Sequence, residues 1–495
     1  MRLQALLADI EPVDLRGDPA VDVVAVTHDS RRVRPGALFA CIPGGRTDGH
    51  DHAPAAADAG AVALLVERWI DLPRSSAHVV EARVPSVRVA LGPLAARFHG
   101  DPSRTLTCLG VTGTNGKTTT TYLLESIGRA DGRRVAVIGT TGAWIEGASV
   151  DLEHTTPEAT ELQALLAHVR DAQVSTVAME VSSHALEQHR VDGTEFAAVC
   201  FTNLSHDHLD YHGGVDAYFE AKARLFTPRF AARAAVNVDD PRGRQIAERA
   251  SRAGLDVVTF GLVSTDADVI AADLSRDAAG VTFTISDSTA ARSATVQIAL
   301  LGRHNASNAV AAAATARTAG LPFDAVVEGL QAAGTVPGRL ERVDDGRGFL
   351  VLVDYAHTPD ALAEAVDTAR ELAGGHRVIV VFGCGGDRDV VKRPAMGAVA
   401  SDRADLAIVT SDNPRSERAS DIADAVLAGA VGPGLVRVQL DRRAAIRDAI
   451  ADAEPGDVVL IAGKGHETGQ TAGAVTTPFD DRVVAREELE ALRWS

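Results

Sequence analysis

The segment Thr112-Gly113-Thr114-Asn115-Gly116-Lys117-Thr118-Thr119-Thr120 decides the fold of this chain, because it joins a glycine-rich turn to a lysine and a hydroxyl. The apolar run Leu106 to Val111 precedes it and is typical of a buried strand, and apolar residues recur at helical spacing after it. A strand, a glycine turn and a helix start in this order aim backbone N–H groups and the positive end of the helix dipole at an anion. The segment therefore predicts a loop for nucleotide phosphates, in which Lys117 reaches the outer phosphates and the Thr118 hydroxyl binds magnesium.

The spacing of the glycines differs from that of the common phosphate loop. Gly110 lies six positions before Gly116 instead of five, and Gly113 lies between them. The alternative is a turn rich in glycine and threonine that carries a surface lysine. We favour the phosphate loop, because strand, turn and helix follow one another in the order that the chemistry requires.

Length and composition limit the class of protein. The 495 residues, 46% of them hydrophobic, are enough for about two to four ordinary domains. The net charge of -18 argues against nucleic acid as a partner, because binding to a phosphate backbone needs clustered Lys and Arg. The N-terminus reaches Asp9 too early for a secretory signal, and no apolar run approaches ~18 residues, so we expect a cytoplasmic protein without membrane insertion. Four isolated cysteines predict buried, reduced thiols; they are Cys41, Cys108, Cys200 and Cys384.

The first predicted domain covers residues 1–100. Its short apolar runs, such as Val21 to Val26 and Ala61 to Val66, are separated by Gly/Pro turns and are typical of a small α/β domain. The stretch His99 to Ser103 predicts a linker, in which Asp101 is extended because a proline follows it.

The second predicted domain covers residues 101–333, where apolar strands and amphipathic helices alternate. The strands predicted there run from 106 to 111, 134 to 139, 174 to 181 and 197 to 202. This alternation indicates a mostly parallel sheet covered by helices, and ligands then bind at the C-terminal ends of the strands.

The third predicted domain covers residues 334–495 and begins with the hinge-like turn Gly334 to Gly338. A second series of strands follows, which is predicted at 349–354, 377–383, 406–410, 436–440 and 458–463. Helical stretches separate them, for example at 360–372 and 442–453. The whole chain is therefore expected to be an α/β protein of three domains, the last of them Rossmann-like and doubly wound.

Polar residues near the phosphate loop are candidates for metal binding. Glu180 stands among apolar neighbours at a strand end and needs a partner, although a structural carboxylate held by backbone donors is equally consistent with its position. His206-x-His208-x-Asp210 resembles part of a dinuclear zinc motif, but Tyr211 occupies the place of its last histidine. A histidine and carboxylates beside a phosphate loop suit nucleotide-bound magnesium better.

Lys222 lies in the predicted amphipathic helix from Tyr218 to Phe226. A lysine on such a helix is ordinarily a solvated charge. We therefore expect it to be exposed on generic grounds.

Three polar loops follow strands of the last domain, at 383–389, 411–415 and 463–467. Arg388 and Arg415 can clamp carboxylates, while Asp412 and Glu467 can hold an ammonium group. Such a pocket of mixed charge suits an amino acid. The alternative is that these loops are rich in Gly and Asp only because they make turns. This alternative explains one such loop better than three.

Together these positions resemble the Mur ligase family, ATP-dependent enzymes that add amino acids to the peptidoglycan precursor. Thr112 to Thr119 matches the T-G-T-[NK]-G-K-T-[ST] loop of the family, and Gly302 to Asn308 matches its G-x-H-N-x-x-N segment. Gly338-Arg339 and Asp354 to His357 match its hinge and nucleotide contacts. The resemblance spans essentially the whole chain, with Thr27 to Arg31 as the one sharp match in the first domain.

Other segments resemble one branch of this family, which adds meso-diaminopimelate to UDP-N-acetylmuramoyl-L-alanyl-D-glutamate. They are Thr155 to Pro157, Glu180 to His184 and Asp207 to Gly213. Asp412-Asn413-Pro414-Arg415 is similar to the signature of diaminopimelate-adding members, whereas lysine-adding relatives carry another residue in place of the arginine. The resemblance also implies that Lys222 is carbamylated by carbon dioxide, which turns a cation into a carboxylate.

The resemblance implies an N-terminal domain that binds the UDP substrate, a central ATP-binding domain and a C-terminal domain that binds the amino acid. It assigns catalysis to Lys117, Lys222, Glu180 and His208, and metal binding to Thr118, Glu180, His208 and carbamylated Lys222. The implied ATP contacts are Thr112, Gly113, Thr114, Asn115, Gly116, Lys117, Thr118, Thr119, Asn305, Asn308, Arg339 and Asp354. The implied contacts of the UDP substrate are Ser30, Thr155, Thr156, Ser182, Gln188 and Arg190. Those of diaminopimelate are Arg388, Asp412, Asn413, Pro414, Arg415, Gly463 and Glu467.

The expected protein is a monomer that uses ATP and magnesium and forms an acyl phosphate on the D-glutamate side chain. Attack by the diaminopimelate amine then gives an amide, ADP and phosphate. Four alternatives remain open at this point: a lysine-adding relative, a folylpolyglutamate synthase, a metal-dependent hydrolase that uses His206, His208 and Asp210, and a nucleotide-binding regulator without catalytic activity.

Overall fold

The computed structural model describes residues 1–8, 10, 14–45, 47–343, 346 and 348–492. Within this part of the chain, the strands form three large sheets and one small hairpin. The three sheets are covered by helices, which confirms the predicted fold class of three α/β domains. The predicted boundaries after residues 100 and 333 remain predictions.

The first sheet has the strand order β1-β5-β4-β3-β2. Its strands are β1 (Asp14–Arg16), β2 (Ala25–Thr27), β3 (Ala37–Ala40), β4 (Ala63–Val66) and β5 (Val80–Arg83). The accompanying helices are α1 (Leu3–Leu6), α2 (Ala53–Asp58) and α3 (Val87–Phe98). Strands β2 to β5 are parallel, and β1 is antiparallel to β5. Every residue of β3 and β4 is buried, as expected for apolar strands covered on both faces.

The predicted linker differs from expectation at one residue. Asp101 is not extended but lies in the left-handed region, with φ 50° and ψ 58°. A proline disfavours the right-handed helical region for the residue before it, but the left-handed region stays open to aspartate. The backbone N–H of Asp101 donates to the carbonyl oxygen of Ala96 at 2.8 Å, so the left-handed turn closes the end of α3.

The middle sheet has the order β16-β15-β14-β13-β12-β11-β6-β10-β7-β8-β9. Its strands are β6 (Thr107–Thr112), β7 (Val135–Gly139), β8 (Gly142–Ile145), β9 (Ala148–Val150), β10 (Thr176–Glu180), β11 (Ala198–Phe201), β12 (Arg233–Asn237), β13 (Asp256–Gly261), β14 (Val269–Asp277), β15 (Gly280–Asp287) and β16 (Arg292–Ile298). The strands from β14 to β7 are parallel, and the outer ones are antiparallel. The four strands predicted here are confirmed to within two residues at each end. The antiparallel strands β14 to β16 were not predicted.

The helices of this domain are α4 (Lys117–Ala130), α5 (Ala159–Asp171), α6 (Ser183–Glu187), α7 (Leu209–His212), α8 (Val215–Ala223), α9 (Pro241–Arg252), α10 (Arg303–Thr318) and α11 (Phe323–Ala332). Helix α4 begins directly after the phosphate loop and buries Leu123, Leu124 and Ile127 in the core. Strand β6 lies between β10 and β11. The loop after β6 is therefore flanked by the segments that leave two neighbouring strands, at the edge where parallel sheets bind ligands.

The third sheet has the order β17-β18-β22-β19-β20-β21. Its strands are β17 (Glu341–Arg342), β18 (Leu350–Asp354), β19 (Val378–Phe382), β20 (Leu406–Val409), β21 (Leu435–Val438) and β22 (Val458–Ala462), and the hairpin consists of β23 (Gly469–Ala472) and β24 (Val475–Pro478). The helices are α12 (Pro359–Ala373), α13 (Lys392–Arg403), α14 (Ala419–Leu427), α15 (Arg442–Asp452) and α16 (Asp481–Ala491). The predicted strands and both predicted helices are confirmed, with ends that differ by at most two residues.

Two further expectations can be compared with the structure. All four cysteines are buried and free, as predicted. Among the helices of the described residues, none is long and apolar enough to cross a membrane.

Candidate active site

The loop between β6 and α4 needs glycine at two positions. Gly113 has φ +154°, and a Cβ built there would lie 1.9 Å from the Oγ1 atom of Thr202. Gly116 has φ +86°, and a Cβ there would lie 2.2 Å from the Oδ1 atom of Asn308. Both positions combine a backbone conformation that favours glycine with a contact too close for a side chain. The unusual glycine spacing therefore follows from the loop's neighbours.

The segment that leaves β11 fixes the loop. The backbone N–H of Asn115 donates to Oδ1 of Asn203 at 2.9 Å, and the hydroxyl of Thr202 donates to the carbonyl oxygen of Asn115 at 2.6 Å. The N–H of Thr114 donates to the carbonyl oxygen of Asn203 at 2.9 Å. These bonds hold the loop in one shape, which is what a backbone cradle for phosphate needs.

Two lysines point at the same loop carbonyl. The Nζ atom of Lys117 donates to the carbonyl oxygens of Gly113 at 3.0 Å and Thr114 at 2.8 Å. The Nζ atom of Lys222, in α8, donates to the carbonyl oxygen of Gly113 at 2.8 Å and lies 4.4 Å from the ring centre of Tyr218. Burial lowers the pKa of Lys117. Burial, followed by the charge of Lys117, lowers the pKa of Lys222 well below its usual value.

Lys222 is only 1% exposed, so the expectation of a solvated helix lysine was wrong. Helix α8 packs against α6, and the face that carries Lys222 is turned toward the phosphate loop. A buried ammonium without a carboxylate partner is costly, and the contact of this one with a carbonyl and an aromatic ring offsets only part of that cost.

Glu180 is held by two threonines at the end of β10. Its Oε1 accepts from the hydroxyl of Thr118 and from the backbone N–H of Thr140, both at 2.9 Å, and its Oε2 accepts from the Thr140 hydroxyl at 3.1 Å. The residue is 1% exposed. The backbone N–H of Thr140 is a donor of the kind expected for a purely structural carboxylate. The hydroxyl of Thr118, which follows the phosphate loop, also donates to Glu180.

His208 lies in the segment after β11 and has φ 54°. Its Nε2 lies 3.3 Å from Oδ2 of Asp207, and its ring stacks edge-on against that of His184 at 4.7 Å. Burial lowers the pKa of His208 to about 4 in spite of Asp207, so the imidazole is neutral near pH 7. Only the neutral form can bind a metal.

The donors near the loop fit magnesium rather than zinc. Across the described ranges, no group of three or more His, Cys, Asp or Glu side chains is placed to hold a metal ion. His206 is half-exposed and lies 3.7 Å from Asp389 of the C-terminal domain. A hydroxyl, a carboxylate and one neutral imidazole leave several positions for phosphate oxygens and water, which is how magnesium is usually bound. The zinc hydrolase alternative is therefore disfavoured.

Four of the residues expected to hold the UDP substrate, Thr156, Ser182, Gln188 and Arg190, form one hydrogen-bonded group. The hydroxyl of Thr156 donates to the Glu180 carbonyl oxygen at 2.9 Å and accepts from the N–H of Ser182 at 3.1 Å. The guanidinium of Arg190 donates to the Thr156 carbonyl oxygen at 3.1 Å and to Oε1 of Gln188 at 2.7 Å. The group therefore lies directly beside the end of β10.

Thr155 and Ser30 stand at the edge of this group. The Thr155 hydroxyl lies 3.3 Å from that of Thr140. The neighbours of Ser30 join the two domains: His28 lies 2.8 Å from the Thr160 hydroxyl, and Arg32 donates to Glu161 at 3.0 Å. Ser30 thus lies where the first domain meets α5.

The polar loops of the C-terminal domain converge on Asn413. Its Oδ1 accepts from Nζ of Lys464 at 3.2 Å and from the N–H of Thr471 at 2.9 Å, and its Nδ2 donates to Oε2 of Glu467 at 2.9 Å. Lys464 is fully buried and also donates to Oε2 of Glu467, at 3.0 Å. Among the described residues, Oε1 of Glu467 and the second N–H of the Asn413 amide have no hydrogen-bond partner and could bind a ligand.

The other predicted residues of this pocket lie around that group. Arg415 has φ 50°, and its Nη1 donates to the Gly386 carbonyl oxygen at 2.7 Å. Asp412 is buried, and its Oδ2 would lie 2.8 Å from a Cβ at Gly463. Arg388 is exposed at the loop surface. The predicted residues thus include two carboxylates, Asp412 and Glu467, and two guanidinium groups, of which that of Arg388 is exposed.

The hinge joins the two halves of the site. The Nη2 atom of Arg339 donates to the Thr118 hydroxyl at 2.9 Å, and its guanidinium lies 4.8 Å from the Tyr355 ring centre. Asp354 fixes the hinge, because its two oxygens accept from the N–H groups of Leu340 and Ala356, each at 2.8 Å.

Two asparagines of α10, Asn305 and Asn308, lie on the predicted nucleotide side of the site. Asn305 is buried, and its Nδ2 donates to the Leu301 carbonyl oxygen at 2.7 Å. Asn308 donates to Oδ1 of Asn305 at 2.9 Å, while its own Oδ1 faces Gly116. Both side chains are thus oriented, and both lie against the start of α4.

Several residues at the site were not singled out from the sequence. Thr140 holds Glu180, and Lys464 and His466 lie inside a quoted loop without an assigned role. Arg442 and Asp481 form a fully buried ion pair at 2.6 Å, and Arg442 also donates to the Ala462 carbonyl oxygen. The sequence Gly463-Lys464-Gly465-His466 directly after a strand was a signal for Lys464 and His466. Nothing in the local sequence marks the pair Arg442 and Asp481.

Three models of Mur ligase domains match most of the chain. A model of the Mur ligase middle domain matches residues 111–316, one of the glutamate ligase domain of Mur ligases matches 338–465, and one described as the Mur ligase family catalytic domain matches 22–99.

Similar proteins span the chain from end to end. The UDP-N-acetylmuramoyl-L-alanyl-D-glutamate--2,6-diaminopimelate ligase of Alkaliphilus metalliredigens is 41% identical over 488 residues, which cover 98% of this chain and 97% of the relative. The protein of the same name from Geobacter metallireducens is 45% identical over 505 residues and covers 97% of each. A solved structure of a ligase with this name is 34% identical with a TM-score of 0.71, over 100% of this chain and 99% of that one.

Proposed function

The chain belongs to the Mur ligase family, and we propose that it adds meso-diaminopimelate to UDP-N-acetylmuramoyl-L-alanyl-D-glutamate, with ATP converted to ADP and phosphate. Relatives with this activity in their names are 41% and 45% identical over nearly the full length. The observation that best supports the proposal is the hydrogen bond from Arg339 to Thr118, because it joins the hinge before the C-terminal sheet to the phosphate loop.

In this proposal the phosphate loop binds ATP. The backbone N–H groups of the loop and the start of α4 face the phosphates, and Lys117 exchanges its loop carbonyls for phosphate oxygens. Asn305, Asn308, Arg339 and Asp354 border the nucleotide side. Magnesium, when bound, neutralises charge on the phosphates, and Thr118, Glu180 and His208 are the residues that would hold it.

The reaction is a transfer of the γ-phosphoryl group followed by its displacement. A side-chain carboxylate oxygen of D-glutamate forms a bond to the γ-phosphorus, and the bond to the bridging oxygen breaks, which releases ADP. The amine of diaminopimelate then attacks the acyl carbon, loses a proton and expels phosphate. The protein contributes positioning and charge stabilisation, since phosphoryl transfer needs little covalent help.

Lys222 is proposed to carry a carbamate. Burial and the neighbouring Lys117 both favour its neutral amine, and the neutral amine is the form that reacts with carbon dioxide. The product is a carbamate anion next to Lys117, which replaces a neutral amine beside a cation by an ion pair. A carbamate there would also face the magnesium site.

The amino acid is proposed to bind at the group around Asn413. The free oxygen of Glu467 and the carboxylate of Asp412 suit an ammonium group, while Arg415 and Arg388 suit carboxylates. Diaminopimelate differs from lysine by one carboxylate. Binding lysine would leave a guanidinium without its partner, which sites of this kind penalise strongly.

The proposal is tested by ADP release in a coupled assay with the UDP-muramoyl dipeptide, run with diaminopimelate and with lysine in parallel. We expect ADP release that needs both acceptor and amino acid, with kcat/KM at least ~100-fold higher for diaminopimelate. Equal rates with lysine would contradict the substrate, and ADP release without either partner would contradict the ligase reaction. A monomeric state and a cytoplasmic location remain predictions from the sequence.

A further inference from the structure

The loop after β22 carries a histidine for which the proposed reaction has no role. His466 belongs to the C-terminal domain, yet its Nε2 atom lies 3.1 Å from the carbonyl oxygen of Thr140, which follows β7 in the middle domain. A carbonyl oxygen can only accept, so Nε2 carries the proton and donates. The Nδ1 atom is buried, and within the described residues it has no hydrogen-bond partner.

The residue that His466 contacts is the one that holds Glu180. The N–H and the hydroxyl of Thr140 donate to the two carboxylate oxygens of Glu180, at 2.9 and 3.1 Å. His466 is also the neighbour of Glu467 in the amino-acid loop. Glu467, in the predicted amino-acid pocket, is therefore connected to Glu180, beside the phosphate loop, through its chain neighbour His466 and then through the hydrogen bonds of Thr140.

The loop around His466 has little room to shift. A Cβ at Gly338, in the hinge, would lie only 2.2 Å from the backbone nitrogen of His466. The His466 ring packs against that of Tyr355 at 4.9 Å, and its carbonyl oxygen accepts from Arg482 at 3.4 Å. The hinge, the C-terminal domain and the middle domain thus all contact this one residue, through its backbone or its ring.

The ring stays in one protonation state. The groups that face it are Arg339, Arg482 and His357, together with the Thr140 carbonyl. Burial first, and then the two arginines, lower the pKa of His466 to about 3. The neutral ring with its proton on Nε2 therefore persists over the range in which an enzyme works, and the contact with Thr140 does not depend on pH there.

We propose that His466 is a positioning residue that fixes the amino-acid loop on the middle domain and thereby sets the distance between the attacking amine and the activated carboxylate. This inference rests on the proposed function. It predicts that the two steps of the reaction respond differently to loss of the contact: phosphoryl transfer needs only ATP and the acceptor, whereas amide formation needs the loop in place.

The test separates these steps with His466→Phe, which keeps an aromatic ring but cannot donate, and His466→Gln, which can donate. Phosphoryl transfer is followed without amino acid, as movement of ¹⁸O from the β,γ-bridge of ATP to a non-bridging position. Amide formation is followed as product release with diaminopimelate. The matched control is His99→Phe, at the partly buried His99 that ends α3 in the N-terminal part of the chain.

For His466→Phe we expect isotope exchange within ~threefold of wild type and amide formation reduced ~100-fold at saturating diaminopimelate, since a misplacement of about 1 Å has effects of this size. His466→Gln should recover amide formation to within ~tenfold of wild type, and His99→Phe should change neither rate. Equal loss in both steps, or no recovery with glutamine, would overturn the inference.

If the phenylalanine variant does not fold, His466→Leu is compared with His466→Gln, because the two side chains are similar in size and only one donates. Equal amide formation by these two variants would also overturn the inference. Failure of the proposed function looks different: wild-type protein would then show neither isotope exchange nor product.

Discussion

Lys117 and Lys222 donate to the same carbonyl oxygen, that of Gly113, at 3.0 and 2.8 Å. Two ammonium groups so close together in a buried site repel each other strongly, because the low dielectric screens them little. Burial and the charge of Lys117 accordingly lower the pKa of Lys222 well below its ordinary value. The pair therefore favours one charged lysine and one neutral amine, at the point where the proposed carbamate forms.

The first prediction concerns Lys222→Arg. Arginine stays protonated and cannot take up carbon dioxide, so we expect ligase activity to fall by at least ~100-fold. In wild-type protein under ¹³C-labelled carbon dioxide, a carbamate carbon signal should be visible by NMR and absent from this variant. Lys392→Arg serves as the control and should keep the signal. A signal that persists in Lys222→Arg would contradict the assignment.

The second prediction concerns Gly116→Ala in the phosphate loop. The left-handed backbone costs a Cβ about 1–2 kcal/mol, and this Cβ would also lie 2.2 Å from Oδ1 of Asn308. Asn308 or the loop must move, so we expect ATP affinity to fall at least ~tenfold by calorimetry.

Gly132→Ala is its matched control, because Gly132 has φ +73° but nothing within 4 Å of a built Cβ. It should lower the melting temperature by backbone strain alone and leave ATP binding unchanged. Similar losses of ATP affinity in both variants would show that strain, not the contact with Asn308, is responsible.

The third prediction concerns Arg415→Asn. Asparagine tolerates the left-handed backbone at this position, where φ is 50°, so the loop should survive the change. The KM for diaminopimelate should rise ~10- to 100-fold with little change in the KM for ATP, because a charged hydrogen bond to a carboxylate is lost. Arg418→Asn, at an exposed guanidinium three residues away, should leave both values unchanged. Equal losses for both substrates would refute the assignment.

The fourth prediction concerns acid stability. Burial alone would raise the pKa of Asp457, but the N–H groups of Glu454 and Arg377 and the Arg377 guanidinium outweigh it and hold the pKa below 3.8. Because the folded pKa lies below the unfolded one, this carboxylate stabilises the protein above about pH 3.8 and loses its contribution as the pH falls through the folded pKa.

Asp457→Asn should therefore lower the free energy of unfolding by about 1–3 kcal/mol at neutral pH, measured by denaturant titration. The difference from wild type should shrink below about pH 3.8. Asp402→Asn, at an exposed carboxylate, should show no such trend. A difference that is constant with pH would contradict the assigned role.

The strands around the phosphate loop could be predicted because they are buried on both faces and therefore read as continuous apolar runs. The missed strands β14 to β16 alternate instead: Val281, Phe283 and Ile285 are buried, while the residues between them are only partly so. This alternation of buried and partly buried residues was present in the sequence, but it is a weaker signal than a continuous apolar run. These strands also follow one another without helices between them, unlike the strands that were predicted.

The site could be predicted where its residues are close in sequence or belong to a family motif. Lys117 and Thr118 follow from the loop itself. The bond from Lys464 to Asn413 joins residues 51 positions apart, and that from His466 to Thr140 joins residues 326 apart. Such contacts depend on how strands and domains are arranged in space, and no local pattern encodes them.

The central claim is that ATP activates a carboxylate of the acceptor for attack by diaminopimelate. The most direct measurement uses acceptor labelled with ¹⁸O in the D-glutamate side-chain carboxylate and analyses the released phosphate by mass spectrometry. Because the oxygen that takes the phosphoryl group leaves with it, the account predicts one labelled oxygen in each phosphate. Phosphate without label, formed together with the amide product, would contradict it.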